Sequence, residues 1–138
     1  MLTEANGVPL AVVVAGANRN DFKLARETLD SIVIARPRPT SLSPQGLCLD
    51  KGYDYGEVRD LVEEFRFTAH IRCRGEEARL IKKAAHYRAH RGVVERCHSW
   101  MNRFRRILVR WEKRADTYVA MLHLVCALIT WKSCGLLG

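Results

Sequence analysis

A chain of 138 residues with 48% apolar and 28% charged residues has material for one real core and no more, which excludes wholesale disorder and argues for a single domain. Its net charge of +8 is lopsided: residues 1–71 carry 8 Lys/Arg against 10 Asp/Glu, and residues 72–138 carry 15 against 5. That split points to a polyanion at the C-terminal half, nucleic acid first and an anionic membrane surface second, with a merely soluble basic protein as the plainer alternative.

Residues 1–16 read as a β-hairpin. Asn6-Gly7 supplies residues that tolerate positive φ in a tight turn. Pro9 to Ala15 (PLAVVVA) is a near-continuous apolar run, the pattern of a strand buried on both faces. Its partner, Met1-Leu2-Thr3, is a short arm that looks cut off. Asp21 to Ile32 (DFKLARETLDSI) reads as an amphipathic helix capped by Asn20 or Asp21. Ala35 to Gly46 (ARPRPTSLSPQG) is a surface linker within one domain, its prolines excluding regular structure.

Leu47-Cys48-Leu49 is a short buried strand ending at Asp50, followed by a turn over Lys51 to Asp54 and an amphipathic helix from Gly56 to Phe65. Phe67 to Arg72 is the next strand. Strand, helix and strand with short connections make a βαβ unit with parallel strands. From Glu76 to Trp111 the pattern is helical, with a break between His86 and Gly92. A last helix runs from about Ala115 to Lys132, with Asp116 or Thr117 near its start and Tyr118, Met121, Leu122, Leu124, Val125, Leu128 and Ile129 as core residues. The apolar run inside it, Tyr118 to Trp131, is short for a membrane span and holds His123, so a buried helix is expected and no membrane partner. There is no internal repeat and no low-complexity tract.

The five cysteines (Cys48, Cys73, Cys97, Cys126 and Cys134) are odd in number and lack a C-x-x-C pair, which suits reduced thiols in a cytoplasmic protein. His86 and His90 have the i, i+4 spacing of zinc ligands on a helix, yet no third ligand stands near, and an ordinary basic face is the better reading. Cys97-His98 likewise has no partner cluster. Tyr87, Trp100, Phe104 and Trp111 interleave with arginines. That pattern suits stacking on nucleic-acid ends, although packing is the commoner fate of Trp100 and Phe104.

Two carboxylates stand out. Asp50 ends a strand before a Gly-containing turn, and open α/β sheets bind ligands outside the carboxyl ends of their strands. It is either a turn-former or a metal ligand. Glu95 lies in the amphipathic basic helix from Arg91 to Asp116, among Arg91, Arg96, Arg103, Arg105, Arg106, Arg110, Lys113 and Arg114. It is either a salt-bridge partner or a metal ligand beside a polyanion. Two such carboxylates suit Mg²⁺ or Mn²⁺, hard cations that serve phosphodiester displacement in pairs.

LCLDKGYD (Leu47 to Asp54), HRGVVERCHSWMNRFRR (His90 to Arg106), RWEKRAD (Arg110 to Asp116) and ALITW (Ala127 to Trp131) resemble, in order, the C-terminal half of bacterial insertion-sequence DDE transposases. The fifth insertion-sequence family is the nearest group. LTEANGVPLAVVVAGANRND (Leu2 to Asp21) resembles that family's segment between its first and second catalytic acids. The resemblance implies an α/β fold, an RNase H-like mixed sheet with flanking helices. It also implies two-metal Mg²⁺ or Mn²⁺ cleavage and joining of double-stranded DNA at transposon ends and target, in the bacterial cytoplasm at the nucleoid. Asp50 matches the second catalytic acid and Glu95 the third, both as metal ligands, and Arg91 matches the arginine of the family's Arg-x-x-x-Glu element. The family's tyrosine and lysine positions are held here by Arg88 and Asn102. Asp21 is no counterpart of the first acid, which lies upstream in the family. The resemblance therefore implies a partial catalytic domain over residues 1–138, a sheet incomplete at its N-terminal side, and little activity alone. An upstream-encoded transposase half or a full-length transposase is an expected partner. The alternative is a non-catalytic DNA-binding or regulatory remnant.

Overall fold

The computed structural model describes residues 1–71 and 92–135. The expected helical features between Glu76 and Arg91, with Cys73, His86, Tyr87, Arg88, His90 and Arg91 itself, lie outside the described residues. The chain divides into two compact units: Met1–Val14, Ser31–Val33 and Arg91–Gly138 form one, Ala15–Asp30 and Ile34–His90 the other.

In the first unit, β1 (Leu2–Thr3) and β2 (Pro9–Ala11) pair antiparallel, Leu2 opposite Ala11 and Thr3 opposite Pro9. The connection closes on itself. Glu4 N–H donates to Val8 O at 2.9 Å and Gly7 N–H to Glu4 O at 3.0 Å. The Glu4 carboxylate accepts the Asn6 and Val8 N–H groups at 2.7 and 3.0 Å. Only Gly7 of the Asn-Gly pair takes positive φ (+95°). A side chain there would also come within 3.3 Å of Val93 O and 3.6 Å of the Trp100 ring, so this position needs glycine twice over. The expected strand to Ala15 stops at Ala11, and only Ala11 of β2 is buried. The partner arm is two residues long, so Val12 to Ala15 find no ladder to join.

The same unit contains α3 (Val93–Met101), α4 (Arg105–Leu108) and α5 (Ala115–Ser133). Met101, Ile107, Leu122, Val125 and Ile129 form its core, with Met1, Val12, Trp100, Phe104, Met121 and Cys126 packed around them. Each fully buried side chain of this size contributes roughly 1.5–3 kcal/mol. The positions Leu122, Val125 and Ile129 recur at helical spacing and define the buried stripe of α5. Leu124, expected in the core, falls off that stripe and is 53% exposed. The basic segment is also no single helix. It breaks at Asn102–Phe104, where Phe104 is extended (φ −91°, ψ 100°). Met101 and Ile107 both reach the α5 core across this break. Among the described residues no helix is long and apolar enough to cross a membrane.

In the second unit, a 3₁₀ turn at Asp21–Leu24 leads into α1 (Ala25–Asp30). This replaces the continuous helix expected to Ile32. Asn20 stands at the cap position without a side-chain cap bond, so the first turn lacks the acceptor that would satisfy its free N–H groups. β3 (Gly46–Leu49) and β4 (Thr68–Ile71) pair parallel, Gly46 opposite Thr68 through Leu49 opposite Ile71. Between them come a 3₁₀ turn (Lys51–Tyr53) and α2 (Gly56–Glu64). This is the βαβ unit that the pattern predicts. Val58, Leu61 and Val62, at i, i+3 and i+4, are its buried face. Only Leu47 of β3 is buried and Cys48 is exposed, so the strand is less enclosed than its apolar sequence suggests.

The chain leaves α2 through Arg66, a left-handed residue at φ +59°, which lets Phe67 N–H reach back to Val62 O at 2.9 Å. The linker from Ala35 to Gln45 has no helix or strand, yet it is held. Arg36 lies 3.9 Å over the Phe67 ring and donates to Phe65 O at 2.7 Å. Gln45 Nε2 donates to Pro37 O at 2.9 Å. The described architecture is thus mixed α/β, a two-stranded antiparallel and a two-stranded parallel sheet with flanking helices.

Candidate functional site

Asp50 follows the last residue of β3, and its exposed carboxylate accepts the Lys51 N–H at 2.7 Å. The turn-former reading of this residue is realised: its side chain caps the 3₁₀ turn. The bond is local, within the sequence neighbour, and leaves the carboxylate facing solvent. Asp54, four residues on, is committed to Arg59 at 2.6 Å. The two 3₁₀ turns of this unit lie against each other, bringing Asp21 and Asp50 electrostatically close to Tyr53. The Tyr53 phenol is raised above its ordinary value by burial first, then by Asp21 and Asp50.

Glu95 lies in the first turn of α3 and is exposed. A carboxylate there is favoured by the positive end of the helix dipole. It has no hydrogen bond or ion pair with a described residue, so the salt-bridge reading is not realised among them. Arg96 beside it reaches Asn6 O at 3.4 Å. Cys97, next again, is fully buried, and desolvation pushes its thiol to about 11. Asp50 and Glu95 belong to different units. Among the described residues no group of three or more His, Cys, Asp or Glu side chains gathers.

The described basic residues of the 91–116 segment are all exposed and differ in what already holds them. Arg114 makes a bidentate pair with Asp116 at 3.1 and 2.6 Å, which draws the Asp116 carboxyl below its ordinary value. Arg110 donates to Glu112 O at 3.1 Å and lies 5.4 Å from the Tyr118 ring centroid. Arg106 Nε is 3.5 Å from Glu112 Oε1. Arg103, Arg105 and Lys113 have no acidic partner among the described residues. They are therefore the cations left to an external polyanion.

One residue escaped the sequence reading. The Glu112 side chain is only 8% exposed, and its Oε2 is buried without a hydrogen-bond partner among the described residues. A glutamate between Trp111 and Lys113 looks like surface, and no periodic signal marks it as buried. Of the aromatics weighed for stacking, Trp100 and Phe104 pack on the core while Trp111 is 74% exposed.

Residues 1–130 match the family described as "Transposase DDE domain". The chain is 36% identical over 139 aligned residues to a Burkholderia cepacia protein provisionally named the transposase for insertion sequence element IS402, the match covering 96% of this chain and 62% of that relative. No solved structure matches the chain. With a family match over nearly its whole length and that relative beside it, this chain belongs to the transposase DDE domain family, of the bacterial insertion-sequence kind.

Proposed function

We propose that this chain is the C-terminal part of an RNase H-like DDE catalytic domain acting on double-stranded DNA in transposition. Asp50 and Glu95 supply two of its metal-binding carboxylates, and the exposed cations between Arg96 and Arg114 take up phosphates. The observation that carries the reading is the combination, on one segment, of Glu95 with Arg103, Arg105 and Lys113, none of which has an ion-pair partner among the described residues. Unpaired cations of this kind release counterions on binding DNA. Arg91, four residues before Glu95, extends the set by its place in the family's element.

The donor chemistry fits a hard divalent cation. Both carboxylates are exposed, the Asp50 side chain accepts the Lys51 N–H, and Glu95 has no hydrogen bond or ion pair among the described residues. Mg²⁺ or Mn²⁺, when bound, stabilises the charge that develops as a phosphodiester is displaced. The protein's own part is to fix the Asp50 carboxylate by the Lys51 N–H and to present Glu95 at a helix N-terminus. Its cations neutralise the strands around the reacting phosphate.

Mn²⁺ titration followed by electron paramagnetic resonance tests the assignment. Asp50→Asn and Glu95→Gln should each weaken Mn²⁺ binding by about tenfold or more, since losing even a group that hydrogen-bonds a metal ligand costs that much. Neither should change the melting temperature appreciably, because both side chains are exposed and Asn can still cap the 3₁₀ turn. Unaltered Mn²⁺ affinity in both variants would remove them from the metal site.

A further inference from the structure

Trp111 is a strongly exposed aromatic on a segment rich in exposed cations, and we infer that it is a stacking platform for an unpaired nucleobase. The inference rests on the DNA-binding reading above and narrows it to a place and a substrate feature. After α4 the chain is extended at Val109 (φ −119°, ψ 113°) and continues to Glu112 without helix. Glu112 is turned inward, its side chain 8% exposed with Oε1 beside Arg106 Nε, and its main-chain oxygen takes the Arg110 Nε–H at 3.1 Å. Its neighbour Trp111 is turned outward, 74% exposed. An indole left in water forgoes the largest apolar gain any side chain offers. Here the inward anchoring of the adjacent glutamate holds it there.

The residues that flank Trp111 in the sequence select the occupant. Lys113, two residues on, and Arg105 on α4 have no acidic partner among the described residues. A nucleotide joins a flat π face to a phosphate, and an exposed indole on the same segment as Lys113, two residues on, and Arg105, six residues back, answers both parts. Leu108 and Val109, on the same segment, are also exposed, at 58% and 52%, and add apolar surface. A second copy of this chain would bring its own cations to the same patch and be repelled.

The test compares the full chain on a blunt duplex and on the same duplex with a short single-stranded tail containing 2-aminopurine. Anisotropy gives affinity and 2-aminopurine quenching gives stacking. The tail should raise affinity by on the order of tenfold and its fluorophore should be quenched. Trp111→Ala should abolish both effects while leaving blunt-duplex affinity within about twofold, and Trp111→Phe should retain most of them. A tail advantage that persists in Trp111→Ala, or none in the parent chain, overturns the inference with the DNA reading intact. Absence of all duplex binding overturns both. Trp111→Ala that alters only self-association, followed by sedimentation, assigns the patch to a second copy and also overturns it.

Discussion

Asp50 and Glu95 differ in how much of their role the neighbours have already settled. Asp50 is oriented by the next residue's N–H, and an oriented carboxylate binds a cation with less ordering cost. Glu95 lies in the first turn of α3, where the helix dipole favours a carboxylate, and has no hydrogen-bonding partner among the described residues. The residue two after it behaves oppositely: Cys97 is fully buried, with its thiol pushed to about 11. Thiolate is the nucleophile in alkylation, so at pH 8 iodoacetamide should label Cys97 at least about a hundredfold more slowly than an ordinary exposed thiol with pKa near 8.5. Exposed Cys134 is the internal standard, and mass spectrometry of tryptic peptides reads both. Equal labelling would show that α3 does not stay packed against its core. Asp50, Glu95 and the arginines stand out as candidates because charge in an apolar pattern is conspicuous. Glu112 was not, because its burial comes from where α4 and α5 bring the chain rather than from its own neighbours in sequence.

At the scale of elements, those with a local cause were readable. The βαβ unit followed from short apolar runs on either side of an i, i+3, i+4 face, and α5 from a long apolar period ending near Lys132. The misplacements share a physical form: a pattern continued where tertiary structure interrupts it. Apolar spacing from Val93 to Leu108 suits one helix, but Arg103, Arg105 and Arg106 offer no acidic i, i+4 partner on it, and the core draws Met101 and Ile107 inward across a break. Val12 to Ala15 read as strand, yet a two-residue partner cannot pair them. Leu122 and Leu124 make this distinction measurable, since only Leu122 lies on the buried stripe. Leu122→Ala should cost about 2–5 kcal/mol, the usual range for a buried leucine. Leu124→Ala should stay within about 0.5 kcal/mol, as surface substitutions do. Denaturant unfolding of the two variants decides, and equal losses would contradict the assigned face of α5.

Over the whole molecule, the charge imbalance read from composition became a specific set of side chains. Within the second unit the acidic residues are partly spoken for: Arg26 pairs with Glu64 at 2.6 Å and Arg59 with Asp54 at 2.6 Å. These exposed pairs add little to stability, and they lower that unit's pull on outside cations. Within the first unit Arg103, Arg105 and Lys113 stay uncommitted among the described residues. The proposed DNA-binding role gives them a polyanionic partner, and the chain spans 62% of the length of its Burkholderia relative. The most direct test is the salt dependence of duplex binding by the full chain and by the Arg103→Gln/Arg105→Gln/Lys113→Gln variant, read by fluorescence anisotropy. Each lost phosphate contact should flatten the slope of log K against log salt by about 0.9, so the triple variant should be flatter by nearly 3. Equal slopes for the two proteins, or duplex binding that ignores salt, would contradict the account.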